Sequence, residues 1–356
     1  MNLLGGMLLL LFTLAWALLP LIPALREYFR PTDVEPLSMV GRDNADIGRF
    51  ARNFREYLTT QLEGAPASSQ AADDWVTLPD GTPLLRPPRV ANELTRSALP
   101  AGASDRLVVL DQSTVLEQGE AFRLEVWARD DFFGSPGATY RALLGEENIE
   151  LGEGSVSLRW THSGKTLVTG PRAFLYGRTS AGQSIQLGRN VRFERLGAPL
   201  ISAGPAGARA KPPLVAEPKM FLTPPDARRL GDHLRIEGDF TLGAGVRYQG
   251  NLVVAGALVI EPGARLAGSV KAEGDLRIGA GAVIEGSAVS RADIRVGQDC
   301  WIQGPVISEE LVHVGPGATI GTPDAPTTVS AREVFLSNGA VVSGQIVTVE
   351  GGLTAD

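Results

Sequence analysis

A chain of 356 residues with 42 glycines and 6% aromatic residues is typical of a β-rich protein with many turns. Its formal net charge of −7 implies no broad basic face, so nucleic acid is not an expected partner. The glycines of "GAGAVIEG" open no helix and no lysine follows them, so a nucleotide is not expected either. The single cysteine, Cys300, excludes an intrachain disulfide framework and suits a reducing compartment.

The first 30 residues predict a membrane anchor. Leu3 to Leu25 contains no charged residue, and as a helix this run would be about 34 Å long, close to the hydrocarbon thickness of a bilayer. A cleaved signal peptide is the alternative, because "AWA" at residues 15–17 has small residues at a cleavage spacing. The lack of a preceding Lys or Arg favours the uncleaved anchor. The anchor residues are Leu8, Leu9, Leu10, Leu11, Phe12, Trp16 and Leu19.

The charges that flank the anchor predict its orientation. Arg26 and Arg30 follow the span and no basic residue precedes it. The positive-inside rule then keeps the C-terminal side in the cytoplasm. We therefore expect a single-pass protein with its body in the cytoplasm and the lipid bilayer as one partner.

Residues 31–100 predict one helix followed by a linker. Apolar residues recur at helical spacing from Ile47 to Leu62, with Arg49, Arg52 and Arg55 on the other side. Two interpretations stay open: a helix lying on an anionic membrane surface, or a helix packed on the protein. Residues 64–100 are rich in Pro, Ala and Ser and predict a linker or an extended wrap. A second proline-rich connection, residues 197–232, separates two β-rich blocks.

The second block, residues 233–356, repeats with a period of 18 residues. "SVKAEGDLRIGAGAVIEG" and "SAVSRADIRVGQDCWIQG" are two of six aligned lines, with the insertion "PDAP" before the last. A line this short cannot bury its own apolar face, but stacked lines align like side chains into interior ladders. The expected fold class is therefore all-β, a β-helix. Its predicted core residues are Leu242, Ile260, Leu266, Ile278, Ile284, Val296, Ile302, Val314 and Ile320.

The first block, residues 101–196, carries a weaker form of the same pattern. Ile149, Leu167 and Ile185 are spaced like the lines of the second block. We expect degenerate coils here. A separate small β-domain is the alternative, because this block is more aromatic.

The motif "EGDLRIGAGAVIEGSAVSRADIRVG", with "GNLVV" before it and "HVGPGATI" after it, resembles bactofilins, bacterial polymer-forming cytoskeletal proteins. The resemblance covers about a third of the chain. It implies a right-handed β-helix that assembles without nucleotide and scaffolds envelope machinery at the inner membrane. It also implies a non-enzymatic protein without a cofactor, whose partners are itself, the bilayer and envelope proteins. The long first block departs from the small members of that family.

The repeat also divides into hexads such as "IGAGAV", which resembles the left-handed β-helix of acyltransferases. That class needs a histidine base. His313 should point outward between two interior valines, His233 should lie at the surface, and His162 in "RWTHSG" is expected in a packed turn. Cys300 takes a place held by alanine in other lines, which predicts an interior hydrophobe. No His and Cys spacing predicts a metal site.

The ends of the β-helix predict assembly. An open end presents a row of unpaired N–H and C=O groups. Only "QIVTVEGGLTAD" follows Gly344, so we expect Ile346 and Val349 near an exposed polymer end. The alternatives are that the tail "GGLTAD" folds over this end, or that the first block covers the opposite end and only dimers form.

Overall fold

The computed structural model describes residues 47–63, 75–87, 95–97, 103–116, 120–205, 219–221, 223–224, 227–231 and 233–355, with residues 7, 9, 12, 13 and 16. Most of the predicted anchor, together with Arg26 and Arg30, lies outside these residues; Leu9, Phe12 and Trp16 are described and helical. No helix in the described parts of the chain is long and apolar enough to cross a membrane. The chain divides into Met1–Asp46 and Ile47–Asp356, and all elements below belong to the second unit.

That unit is a β-solenoid of about 13 turns, with strands hydrogen-bonded into one sheet. It consists of an N-terminal solenoid, residues 75–203, and a C-terminal solenoid, residues 219–354. The alternating pattern of the sequence explains the strands, because each second side chain points inward and successive coils pair at about 4.8 Å. A single apolar core extends through both solenoids.

In its described residues, the N-terminal part has one α-helix, a short 3-10 helix (Ala103–Asp105) and fourteen strands. The α-helix is α1 (Arg49–Glu63). The strands are β1 (Trp75–Thr77), β2 (Pro83–Leu85), β3 (Thr95–Ser97), β4 (Leu107–Leu110), β5 (Thr114–Leu116), β6 (Ala121–Ala128), β7 (Phe132–Phe133), β8 (Thr139–Gly145), β9 (Ile149–Leu151), β10 (Val156–Ser163), β11 (Thr166–Thr169), β12 (Phe174–Ala181), β13 (Ser184–Leu187) and β14 (Arg192–Ala203).

The remaining strands form the C-terminal solenoid and the segments at its start. They are β15 (Lys219–Met220), β16 (Arg228–Leu230), β17 (His233–Ile236), β18 (Phe240–Leu242), β19 (Val246–Gln249), β20 (Asn251–Val254), β21 (Leu258–Ile260), β22 (Arg265–Ala267), β23 (Val270–Ala272), β24 (Leu276–Ile278), β25 (Val283–Ile284), β26 (Ala288–Ser290), β27 (Ile294–Val296), β28 (Trp301–Ile302), β29 (Val306–Ser308), β30 (Leu311–Val314), β31 (Thr319–Ile320), β32 (Thr327–Leu336) and β33 (Val341–Thr354).

Within each solenoid the coils pair in parallel. In the C-terminal solenoid Ile260 pairs with Ile278, and Ile278 with Val296. The N-terminal solenoid pairs in the same way through β4, β6, β8, β10, β12 and β14, with bulges between Phe122 and Glu125 and between Ser157 and Trp160. The first block is therefore built of solenoid coils and is not a separate kind of β-domain.

The two solenoids meet through their C-terminal ends. Strands β14 and β33 pair antiparallel, from Arg192 opposite Leu353 to Ser202 opposite Val341. This pairing differs from the parallel pairing of successive coils within each solenoid. Leu196 lies opposite Ile346 in this pairing, and both side chains are buried.

This junction contradicts the expected open C-terminal edge. The exposed position predicted for Ile346 is wrong: the side chain is 0% exposed because β14 covers the edge of β33. Val349 is 82% exposed, but it sits on the outer surface of a paired strand. The first block thus covers the C-terminal end of the second block, not its N-terminal end. The predicted connection of residues 197–232 also begins later, because β14 continues to Ala203.

Helix α1 packs on the N-terminal solenoid. Ala51 and Leu58 are buried in a cluster with apolar residues of the solenoid strands. The Phe54 and Trp160 rings meet edge to face, with 5.4 Å between their centroids. The apolar face of α1 therefore packs on protein, and the alternative of a helix lying on the membrane surface is wrong.

In the predicted linker, β1 and β2 form an antiparallel pair that adds to β4.

Candidate functional site

The structure buries every core residue that the repeat predicts. Each is at most 3% exposed and lies in the interior cluster of the C-terminal solenoid. These side chains stabilise the stack and are closed to solvent, so chemistry must come from the outer surface. The nine residues are Leu242, Ile260, Leu266, Ile278, Ile284, Val296, Ile302, Val314 and Ile320.

A charged clamp fastens α1 to the solenoid. Arg55 donates from Nε and Nη2 to the two carboxylate oxygens of Glu146, at 2.8 and 2.6 Å. Trp127 Nε1 donates to the same carboxylate at 2.7 Å. Burial would raise the pKa of Glu146, but the hydrogen bonds from Arg55 and Trp127 outweigh it and lower that pKa. The carboxylate is therefore a structural anchor, held ionised by its donors.

The three histidines do not converge. His162 lies in β10, where its Nδ1 is 2.8 Å from the Ser180 hydroxyl. His313 lies half-buried on the outer face, with Nε2 3.0 Å from the Ser337 hydroxyl. Burial and the neighbouring Arg295 charge lower the pKa of His313. His233 is exposed at the start of the C-terminal solenoid. The structure thus brings together no pair of histidines for acid–base work.

Cys300 is an interior side chain. It is buried in the stack, and its thiol donates to the Gly279 carbonyl at 3.0 Å. Burial raises the pKa of this thiol to about 11, so at neutral pH it is a protonated, weakly nucleophilic group. Across the described part of the chain, no group of three or more His, Cys, Asp or Glu residues could hold a metal ion.

A groove runs along the outer face of the C-terminal solenoid. Its volume is about 470 Å³. Arg277, Arg295 and His313 occupy successive coils along one side. Asp275 and Asp293 form ion pairs with the two arginines, at 3.7 and 3.1 Å. In these two coils a carboxylate therefore balances the guanidinium two residues further along the chain.

A second cavity, the junction pocket, lies where β14 meets β33. Its volume is about 330 Å³. The sequence does not predict this pocket, because its walls come from residues far apart in the chain. The only local signal is the glycine pair at residues 351–352. The lining residues are Tyr176, Arg192, Phe193, Glu194, Glu333, Phe335, Glu350, Gly351, Gly352 and Leu353.

Threonines of β33 fasten the strand beneath the pocket. The Thr348 hydroxyl donates to the Glu194 carbonyl, and the Thr354 hydroxyl donates to the Gly188 carbonyl, both at 2.8 Å. Both side chains are buried. The junction is therefore held by side-chain hydrogen bonds as well as by the strand ladder. Such a junction gives the pocket fixed walls.

Comparison with known proteins finds no match: no family model, no curated protein and no solved structure resembles the chain at a significant level. By its architecture the chain is a β-solenoid in two halves.

Proposed function

We propose that this chain is a non-enzymatic, membrane-anchored scaffold of bactofilin type that assembles end to end without nucleotide. The observation that carries the proposal is the junction of β14 with β33, which joins two solenoids into one continuous stack. An elongated stack of paired coils offers rigid outer faces for several partners at once. The partners we propose are further copies of the chain, the lipid bilayer and envelope-associated proteins.

We propose 18-residue, right-handed coils for the C-terminal solenoid. The unbroken register from Leu258 through Leu276 and Ile294 to Val312 supports the coil size, since each step joins residues 18 positions apart. The handedness rests on the resemblance of "EGDLRIGAGAVIEG" to bactofilins.

The N-terminal ends of the solenoids are the proposed contact surfaces, because the C-terminal ends already cover one another. In the described residues β18 pairs only with β21. Phe240 and Leu242 form their backbone hydrogen bonds with the next coil. Phe240 N donates to Ala257 O, and Leu242 O accepts from Glu261 N, both at 2.9 Å. Backbone groups alternate in direction along a strand, so the N–H and C=O of Thr241 point away from β21, along the axis of the stack. A second copy of the chain can pair with them there.

Sedimentation of the purified full chain without nucleotide tests this proposal. We expect the wild type to form large assemblies. Thr241→Pro removes the outward N–H at an edge position where proline is tolerated, so it should shift the chain toward smaller species. Thr241→Ala keeps the N–H and is the matched control. A wild-type chain that stays monomeric at high concentration would refute the polymer.

We further propose that residues 3–25 anchor the chain in the bacterial inner membrane, with the body in the cytoplasm. The supporting observation is the charge asymmetry, with Arg26 and Arg30 after an uncharged run. A reporter that is active only in the periplasm, fused after Asp356, should stay silent. Activity of that fusion, or a mature N-terminus near Leu18, would contradict the proposed topology.

A further inference from the structure

The floor of the junction pocket is bare backbone. Gly351 and Gly352 lie in β33 beneath the cavity. Gly351 has a φ of 134°, which other residues rarely adopt. A Cβ added at Gly352 would overlap the Phe193 ring. Gly351 is therefore required by its backbone conformation and Gly352 by the Phe193 ring. At Gly351 the strand has no side chain where the paired Glu333 of β32 has one.

One side of the pocket is apolar and partly exposed. Phe335 and Leu353 pair across β32 and β33 and line the pocket beside Tyr176. Tyr176 is 41% exposed, and its ring stacks on Phe174 with 6.1 Å between centroids. One coil further on, Leu158 is 48% exposed. Contiguous exposed side chains of this size beside a cavity mark a binding surface.

The charge around the pocket is predominantly negative. Three carboxylates, those of Glu194, Glu333 and Glu350, line it together with one guanidinium, Arg192. Glu350 also forms an ion pair with Arg332 at 3.5 Å, and Glu194 accepts a hydrogen bond from the Gly177 N–H at 2.9 Å. The carboxylates still outnumber the two guanidinium groups. The Arg192 guanidinium carbon lies 5.7 Å from the centroid of the Phe174 ring, over its face. The pocket therefore presents apolar walls with an excess of carboxylate.

We infer that the junction pocket and the adjoining side chains of Leu158, Phe174 and Tyr176 bind a partner-protein segment in which a Lys or Arg side chain is next to an apolar or aromatic one. A basic side chain has an apolar stem and a cationic head, which match apolar walls and carboxylates respectively. Aromatic rings such as Tyr176 add a favourable surface for the cation. The neighbouring apolar side chain packs on the exposed rings. The volume of about 330 Å³ is at the lower end of known ligand sites, suited to one side chain and its flanking backbone.

This inference names a partner chemistry for the proposed scaffold and rests on that function only for its biological role. Binding of a segment at the pocket does not require assembly. The two can therefore be measured separately in one preparation.

The test uses calorimetry with the purified full chain and two synthetic pentapeptides, acetyl-Gly-Phe-Arg-Phe-Gly-amide and its counterpart with Glu in place of Arg. We expect the arginine peptide to bind at least about tenfold more tightly than the glutamate peptide, because like charges repel at the pocket. The double variant Glu333→Gln, Glu350→Gln should weaken the arginine peptide by about fivefold. Tyr176→Ala, at an exposed site, should weaken both peptides. Glu237→Gln, an exposed change near the far end of the C-terminal solenoid, is the control and should bind like the wild type.

Equal binding of both peptides, no binding of the arginine peptide, or an unchanged double variant would overturn the inference. Sedimentation of the same samples reports assembly independently. A chain that binds the arginine peptide but does not assemble would refute the polymer and still support peptide binding at the junction pocket.

Discussion

Truncation of Ile346 tests the junction most directly. Its side chain is 0% exposed and lies opposite Leu196 of β14. Ile346→Ala removes buried methyl and methylene groups and leaves a cavity, at a cost of about 2–5 kcal/mol in a core. Val349 is in the same strand but 82% exposed, so Val349→Ala should change stability by no more than about 0.5 kcal/mol. The two variants thus delete aliphatic groups three residues apart in one strand, with very different expected costs.

Amide hydrogen exchange locates the effect. In a solenoid each coil is stabilised by its neighbours, so the cavity should weaken the junction before the distant coils. A loss of about 3 kcal/mol would raise the open population of β14 and β33 by roughly a hundredfold, with exchange of their amides faster by the same factor. Protection in β24 and β27 should change far less. Equal effects of the two substitutions, or unchanged exchange in β14 after Ile346→Ala, would refute the antiparallel junction.

Three further predictions concern the core and the helix clamp. Ile278→Asp places a carboxylate in the interior ladder and should cost several kcal/mol in thermal unfolding, whereas Val289→Asn, outside that ladder, should leave the melting temperature almost unchanged; equal melting would refute the register. Leu58→Ala, at a fully buried position of α1, should cost about 2–5 kcal/mol and raise protease cleavage of the helix, and wild-type resistance would show that the helix is not docked. The pKa of Glu146 is lowered in the folded chain from 4.5, so the stability that this carboxylate adds is present above that pH and is lost as the pH falls below it. Glu146→Gln should remove this part of the acid sensitivity of the melting temperature. A variant with the wild-type acid profile would contradict the role of Arg55 at the clamp.

The sequence predicts the C-terminal solenoid better than any other part. Its interior places recur without bulges from Leu258 to Val312, so the period alone aligns the paired residues. In the N-terminal solenoid the bulge between Ser157 and Trp160 breaks the register. A bulge adds a residue to one strand and shifts every later side chain in a period count. For that reason the first block looked degenerate although it stacks in the same way.

The junction and its pocket could not be predicted from the sequence. β14 and β33 are separated by more than a hundred residues, and an antiparallel pairing at that distance leaves no local periodicity. The strand "RFERLGAPLISA" also contains Gly197 and Pro199, the first residues of a proline-rich stretch that is typical of a linker. Gly351 and Gly352 are a signal in the sequence, but a pair of glycines there is equally typical of a loose tail.

The junction also has a consequence for the order of synthesis. β14 is complete when residue 203 leaves the ribosome, but its partner β33 consists of residues 341–354 and is made much later. At about 5–20 residues per second the edge of β14 is uncovered for roughly 7 to 30 seconds on every nascent chain. During that interval it is an unpaired strand beside other nascent chains on the same messenger, the situation in which edges capture one another. A message truncated before residue 341 would make that exposure permanent, so synthesis through β33 is required before the edge of β14 is closed.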